Sequence, residues 1–119
     1  MTPSTQPTLL LIGDDALFTY LIGRYAMRRG FQLQVSPTLP PASMLSDLQP
    51  AAIFFLALES LEASQPLAEL ETADIPLLVC SAPADEVRAR ELGADYCLQH
   101  PLTYESFVAA LQATIPNYQ

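Results

Sequence analysis

The sequence predicts an α/β protein in which helices cover both faces of a parallel sheet. Short apolar segments of strand length recur five times, and between them the apolar residues take the spacing of helices. The middle segment, residues 50–58 (Pro-Ala-Ala-Ile-Phe-Phe-Leu-Ala-Leu), contains no polar side chain. Such a segment is typical of a strand buried on both faces, so we place it, as β3, at the centre of the sheet. Open α/β sheets carry their sites at the C-terminal ends of the strands, and this end carries no group capable of chemistry.

The first strand and helix are clearly marked. Residues 8–12 form a short apolar run, β1, and the sequence Gly-Asp-Asp ends it. Helix α1 begins at Ala16 and stops at Gly30, with acidic residues before its first turn and arginines in its last, as the helix dipole favours. Its inward positions follow helical spacing and are Phe18, Leu21, Ile22, Tyr25 and Ala26.

The next segments predict an edge strand and a short helix. Residues 31–35 alternate strictly between apolar and polar, so β2 is half exposed and lies at an edge of the sheet. Pro40 and Pro41 suit the first turn of a helix, α2. The apolar side of this helix carries Met44, Leu45 and Leu48.

The region between residues 59 and 74 has the weakest pattern. We expect one short helix there, α3. Ser64 followed by Pro66 is typical of a helix start, and Leu67 and Leu70 give this helix an apolar side.

The last third of the chain repeats the strand–helix pattern with shorter segments. Residues 75–80 predict β4, residues 85–92 predict α4, and residues 96–98 predict β5. Thr103 caps the last helix, α5, and Pro116 ends it. The inward side chains of α5 are Tyr104, Phe107, Val108 and Leu111.

Composition limits the classes of function. We expect one domain over residues 8–119, preceded by a flexible tail, residues 1–7, rich in Pro, Ser and Thr. The net charge is −8, and five arginines carry all the fixed positive charge. A basic footprint for nucleic acid or an anionic membrane is therefore missing. Residues 9–12 are too short a run for a signal peptide or membrane span, which favours a cytoplasmic protein.

The cysteines favour neither a metal site nor a cofactor. Cys80 and Cys97 lie in apolar, strand-like segments, which is typical of buried reduced thiols. A disulfide would require facing Cβ atoms, which the sequence does not show. Two cysteines and the distant His100 do not have the spacing of zinc ligands.

Six local motifs occur in the order found in one known family. They are Leu-Leu-Leu-Ile-Gly-Asp-Asp (9–15), Arg-Arg-Gly-Phe (28–31), Pro-Ala-Ala-Ile-Phe-Phe-Leu (50–56), Ile-Pro-Leu-Leu-Val-Cys-Ser-Ala (75–82), Glu-Leu-Gly-Ala-Asp (91–95) and Leu-Gln-His-Pro (98–101). From Thr8 to Ile115 the chain thus resembles the receiver domain of bacterial two-component response regulators. The resemblance implies a flavodoxin-like (βα)5 fold with strand order 2-1-3-4-5, and the regions around α3 and α4 are shorter than is usual.

The same resemblance implies a vestigial phosphorylation site. The family's phosphoacceptor aspartate falls on Leu56, which has no nucleophilic oxygen. The acidic pair that holds Mg²⁺ falls on Gly13 and Asp14, the hydroxyl position on Ser81 and the lysine position on His100. One remaining carboxylate supplies too few oxygen ligands for Mg²⁺. We therefore expect no catalytic residue, no bound metal and no cofactor.

Several residues keep two interpretations. His100 either acts as a pH-responsive cation, able to pair with Asp14, or is a polar residue left near an old site. Asp14 and Asp15 either hold a metal or stabilise the start of α1, and the second is favoured. Ser81 is better explained as a hydrogen-bonding group at a strand end than as a nucleophile, because no acid would orient a base beside it.

The function expected from the resemblance is that of a non-phosphorylatable pseudo-receiver, not an enzyme, that acts by protein–protein contact in a bacterial signalling pathway. Its partner interface, or a homodimer, would use the α4–β5–α5 face. Candidate interface residues are Arg88, Tyr96, Cys97, Gln99 and Tyr104. The alternative is a small-molecule sensor using the crevice at the C-terminal edge of the sheet, although Gly13 and the two aspartates after it would repel a phosphate. The family also implies a cis peptide bond between His100 and Pro101.

Overall fold

A computed structural model describes residues 7–65, 75–99 and 102–115 of the chain. The strands form one parallel sheet in the order β2-β1-β3-β4-β5, which confirms the predicted topology. Their bounds are β1 Thr8–Ile12, β2 Gln32–Ser36, β3 Ala52–Phe55, β4 Leu77–Cys80 and β5 Tyr96–Leu98. All four residues of β3 are buried, as expected for the central strand.

Helices cover both faces of this sheet. Their bounds are α1 Ala16–Arg28, α2 Ala42–Leu48, α3 Leu58–Ala63, α4 Glu86–Glu91 and α5 Tyr104–Thr114, and a 3₁₀ turn, Pro83–Asp85, precedes α4. Successive strand residues point to opposite faces, so that Phe54 packs under α1 and α5 while Phe55 packs under α2, α3 and α4. None of the described helices is long and apolar enough to cross a membrane.

The ends of α1 follow from its sequence. The Asp15 carboxylate accepts a hydrogen bond from the Phe18 backbone N–H at 3.0 Å, which caps the first turn. Gly30, with φ of +80°, lets the chain turn into β2 after Arg28. Ile22 is completely buried against the sheet, which confirms the predicted inward face.

The helix predictions hold in part. A described helix after β3 begins at Leu58, where Leu61 fills the core beside β3, and Ser64 caps its C-terminus; whether another helix starts after Ser64, as predicted with Pro66, lies outside the described residues. The Ser64 hydroxyl donates to the Ser60 carbonyl oxygen at 2.8 Å. The predicted apolar side chains at 67 and 70 lie outside the described residues, as does Pro116. On α2, Leu45 is buried but Met44 is 58% exposed, because adjacent helical positions point about 100° apart.

Candidate functional site

Three of the predicted site residues lie where neighbouring strands end at one edge of the sheet. Gly13 follows β1, Leu56 follows β3 and Ser81 follows β4. The backbone continues the sheet at these points: the Leu56 N–H donates to the Ile12 carbonyl oxygen at 3.0 Å, and the Ser81 N–H donates to the Leu98 carbonyl oxygen at 2.9 Å. Their position at this edge is set by the main chain.

Gly13 and Leu56 are in direct steric contact. Leu56 is only 7% exposed and packs in the core between the sheet and α1 and α5. A Cβ atom added at Gly13 would lie 2.7 Å from Cδ1 of Leu56 and 2.8 Å from its Cβ, closer than such atoms approach in proteins. The φ of Gly13, +149°, is also one that side-chain-bearing residues rarely adopt. The leucine therefore excludes any side chain, including a carboxylate, from the first acidic position.

The acidic residues near Gly13 form no cation site with other described residues. Asp14 is exposed and has no hydrogen-bond or ion-pair partner among the described residues, and Asp15 is engaged as the cap of α1. Within the described ranges, no three His, Cys, Asp or Glu residues come together in a way that could hold a metal. Since Mg²⁺ prefers near-octahedral oxygen coordination, the donor set of Gly13, Asp14 and Leu56 does not fit it.

Ser81 is buried, and no described residue activates its hydroxyl. It is 5% exposed, and its hydroxyl makes no well-formed hydrogen bond with a described residue, although it lies near enough to the Cys97 thiol to influence its pKa. With no described base to take its proton, the hydroxyl is not activated as a nucleophile. His100, which the resemblance places at the family's lysine position, lies outside the described residues, as does the His100–Pro101 bond predicted to be cis.

Both cysteines are free and protonated at neutral pH. Burial raises the pKa of the Cys80 thiol to about 12. Burial also raises the pKa of Cys97, and the positive charge of Arg90 and the neighbouring Ser81 hydroxyl only partly oppose this effect. Cys80 packs on the α1–α5 side of the sheet and Cys97 on the other side, so no disulfide joins them.

The α4–β5 part of the predicted interface carries an exposed polar network. Arg88 pairs with Glu62 of α3 at 3.5 Å, and Arg90 pairs with Glu86 one helical turn away at 3.4 Å. The Gln99 side chain donates to the Glu86 carboxylate at 3.3 Å. These groups bring α3, α4 and the end of β5 into one polar surface.

The aromatic residues of the predicted interface are less exposed. Tyr96 and Cys97 of β5 are half-buried. The ring of Tyr104 lies 5.5 Å from that of Tyr25, and the guanidinium carbon of Arg28 lies 3.9 Å from the Tyr104 ring centroid. Tyr104 is thus engaged with α1. Its neighbours Tyr25 and Arg28 were visible in the sequence, but only the packing of α5 against α1 brings the three together.

A cleft of about 420 Å³ opens at the same end of the sheet. It lies between the connection that follows β2 and helix α3. Its lining mixes apolar and hydroxyl side chains with one carboxylate: Ile12, Pro37, Thr38, Leu39, Glu59, Ser60, Ala63 and Ser64.

Comparison with known proteins shows the fold and no more. No family model and no curated protein matches the sequence. Among solved structures, a response regulator receiver domain from Bermanella marisrubri is similar, with TM-score 0.74 and 23% identity over 92% of this chain and 98% of that chain. An orphan response regulator of H. pylori aligns with TM-score 0.70 and 24% identity over 94% and 98% of the two chains. The Vibrio cholerae chemotaxis protein CheY4 aligns with TM-score 0.70 and 13% identity over 93% and 100%. The chain therefore has the fold of response regulator receiver domains.

Proposed function

We propose that this chain is a receiver-like signalling domain that accepts no phosphoryl group and acts by contact with another protein. The observation that carries the proposal is the packing of Leu56 against Gly13. Leu56 stands at the position of the phosphoacceptor, and its side chain blocks a carboxylate at position 13. The receiver-domain fold of the solved structures described above supports a signalling role. A bacterial pathway and a cytoplasmic location belong to the same proposal.

The chemistry of the strand ends supports the absence of phosphotransfer. Aspartyl phosphorylation forms an acyl phosphate on a carboxylate oxygen, and a leucine side chain offers no such atom. Asp14 alone cannot hold Mg²⁺, whose charge the reaction needs to neutralise the phosphoryl oxygens. On this proposal the domain is not an enzyme, and its output is constitutive or controlled by the contact itself.

The polar surface of α4 and β5 supports the proposed contact. Its ion pairs are about half exposed, and pairs of this kind contribute only about 0–1 kcal/mol each. Arg88 and Gln99 can therefore exchange their present partners for groups of another protein at small cost. A homodimer through the α4–β5–α5 face is the self-associating form of the proposal, and sedimentation over a range of concentrations tests it.

Acetyl phosphate with Mg²⁺, followed by intact-mass spectrometry, tests the central claim. The expected result is no added phosphoryl mass on the native chain. The matched control is the variant Gly13→Asp/Leu56→Asp, which restores both carboxylates and should gain affinity for Mg²⁺. Circular dichroism checks first that it folds, because the Cβ atoms at 13 and 56 would still lie only 2.8 Å apart without a backbone shift. A phosphorylated native protein, with the label on any residue at this edge of the sheet, would overturn the proposal.

The cleft beside α3 supports a second candidate, a small-molecule sensor. Its volume of about 420 Å³ lies in the range that suits small ligands, and it opens at the C-terminal edge of the sheet. A thermal-shift screen with nucleotides, flavins and quinones tests this candidate. A stabilising ligand should lose its effect in Ala63→Trp, which fills the cleft, and keep it in Val87→Trp on α4. A screen without any stabilising compound would count against the sensor.

A further inference from the structure

Helix α1 exposes an apolar and basic surface on the side away from the sheet. Ile22 and Ala26 on its inner side are completely buried. On the outer side Leu17 is 68% exposed, Tyr20 59% and Met27 75%. Together with Arg24 and Arg28 these residues occupy spacings of three and four along the helix, so they form one continuous stripe. We call these five residues the α1 outer face.

The charge of this helix is opposite to that of the protein. Residues 16–29 contain three of the five arginines and no acidic residue, whereas the rest of the chain contains two arginines and all 13 acidic residues. Those two, Arg88 and Arg90, are ion-paired with glutamates. The α1 outer face is thus the basic patch of an acidic molecule.

The arginines of the α1 outer face are held in place by aromatic rings, and no described carboxylate neutralises them. Arg24 donates to the Tyr20 hydroxyl at 3.0 Å and lies 5.7 Å from its ring centroid. Arg28 lies over the ring of Tyr104. Neither makes an ion pair within residues 7–65, 75–99 and 102–115. Contact with aromatic rings lowers the freedom of both guanidinium groups while leaving their charge available to an acidic partner.

The length, apolar residues and charge of the α1 outer face indicate which kind of partner it can bind. Leu17 to Arg28 spans three helical turns, about 16 Å, which matches a short partner helix. Such a helix would need apolar side chains opposite Leu17 and Met27 and carboxylates opposite Arg24 and Arg28. A second copy packing α1 against α1 would bring arginines together. A membrane or nucleic acid is an extended polyanion that would also face the acidic residues outside α1, whereas a single short helix meets α1 alone.

We propose that the α1 outer face binds an acidic amphipathic helix of a partner protein. The inference rests on the proposed contact function, because it names the chemistry of the partner. It does not depend on the polar surface of α4 and β5, and phosphodonor assays do not bear on it. Failure of the binding experiment would leave the proposal of a phosphate-independent receiver standing.

The probe is a synthetic helical peptide with leucines at spacings of three and four and glutamates on both flanks. Fluorescence anisotropy measures its affinity, and amide chemical shifts of the isotope-labelled protein locate it. We expect saturable binding that weakens with salt, with the largest shifts around Leu17, Tyr20, Arg24 and Met27. A peptide of the same composition in scrambled order should bind at least about tenfold more weakly, since it loses the apolar stripe.

Surface variants make the experiment specific. Arg24→Glu, and separately Met27→Ser, should weaken binding of the peptide by about tenfold or more. The matched controls Gln34→Glu and Val87→Ser, which add a negative charge at an exposed position of β2 and change an exposed valine on α4, should leave it unchanged. All four positions are exposed, so folding is expected to survive, and circular dichroism checks this.

Four results would overturn the proposal. They are no binding of the acidic peptide, shifts located away from α1, affinity unaffected by Arg24→Glu and Met27→Ser, or equal affinity for the same peptide with lysines in place of glutamates. A binding assay with vesicles of phosphatidylcholine and phosphatidylserine tests the alternative that the α1 outer face binds an anionic membrane. Binding to these vesicles that Arg24→Glu abolishes would assign the α1 outer face to an anionic membrane instead.

Discussion

Replacing Leu56 by aspartate should destabilise the domain strongly in the absence of Mg²⁺. Leu56 is 7% exposed, so the variant Leu56→Asp loses nearly the full burial of a leucine, about 1.5–3 kcal/mol. A carboxylate placed there without a bonded partner costs about 1–3 kcal/mol more. The total, about 2.5–6 kcal/mol, is large against the 5–15 kcal/mol that is roughly typical of whole domains.

The variant Leu56→Asn separates the two contributions to this loss. Its side chain has nearly the same shape as that of Leu56→Asp but carries no charge. It should therefore be destabilised by the lost leucine burial and by only part of the cost of burying a polar group. Burial should raise the pKa of the introduced carboxyl above its ordinary value. The protonated form then favours the folded state, and the extra loss of Leu56→Asp is present at neutral pH. It should disappear as pH falls below the unfolded carboxyl pKa of about 3.9.

Urea denaturation at neutral pH and near pH 3, about one unit below the unfolded carboxyl pKa, measures these free energies. With a urea dependence of about 1–3 kcal/mol per molar, the midpoint of Leu56→Asp should fall by about 2 M at neutral pH. An unchanged midpoint in both variants would refute the burial of Leu56 against Gly13. A difference between them that persists at low pH would refute the role assigned to the charge.

Three further predictions concern the site and its supporting elements. Gly13→Ala should lower the free energy of unfolding by at least about 2 kcal/mol in urea denaturation, because its Cβ meets Leu56 and its φ is unfavourable; a neutral effect would contradict the contact. Thr103→Ala should lower the free energy of unfolding, measured in the same way, by about 1 kcal/mol, because the Thr103 hydroxyl accepts from the Ser106 N–H at 3.1 Å as part of a capping box; an unchanged free energy would contradict this role. Thiol labelling should modify Cys97 before Cys80 and accelerate with rising pH, because burial raises both pKa values; equal rates would contradict the burial of Cys80.

The alternation of strands and helices was predictable because its signals are local. Continuous apolar runs marked β3 and β4, alternation marked β2 as an edge strand, and capping residues such as Asp15 and Thr103 marked helix starts. The strand order needed the resemblance, because periodicity does not say which strands are neighbours. The structure confirms that order.

The errors arose where tertiary packing decides. Leu58 reads as the end of an apolar strand, yet the chain turns into a helix there because Leu61 can then enter the core. The sequence places Tyr104 both on the inner side of α5 and among the interface candidates, and only the packing of α5 on α1 shows its ring against Tyr25 and Arg28. Such contacts join distant parts of the chain, and no local pattern carries them.

The candidate site shows the same division. Its residue types, above all the leucine at position 56, could be read from the sequence with the family pattern beside it. The contact between Leu56 and Gly13 could not, because it depends on side chains from two neighbouring strands. The Leu56 side chain fills the space that a side chain at position 13 would need, and a glycine at position 13 leaves that space free. The leucine and the glycine are therefore sterically compatible.

Amide chemical shifts of the isotope-labelled native protein, recorded during a titration with Mg²⁺ and beryllofluoride, test the central claim most directly. Beryllofluoride mimics a phosphoryl group on a carboxylate. The account predicts no saturable shift at Gly13, Leu56 or Ser81, because the residue at the end of β3 is Leu56, which offers no carboxylate acceptor. Saturable shifts clustered at these three residues would show that the site still binds the phosphoryl mimic, and would contradict the account.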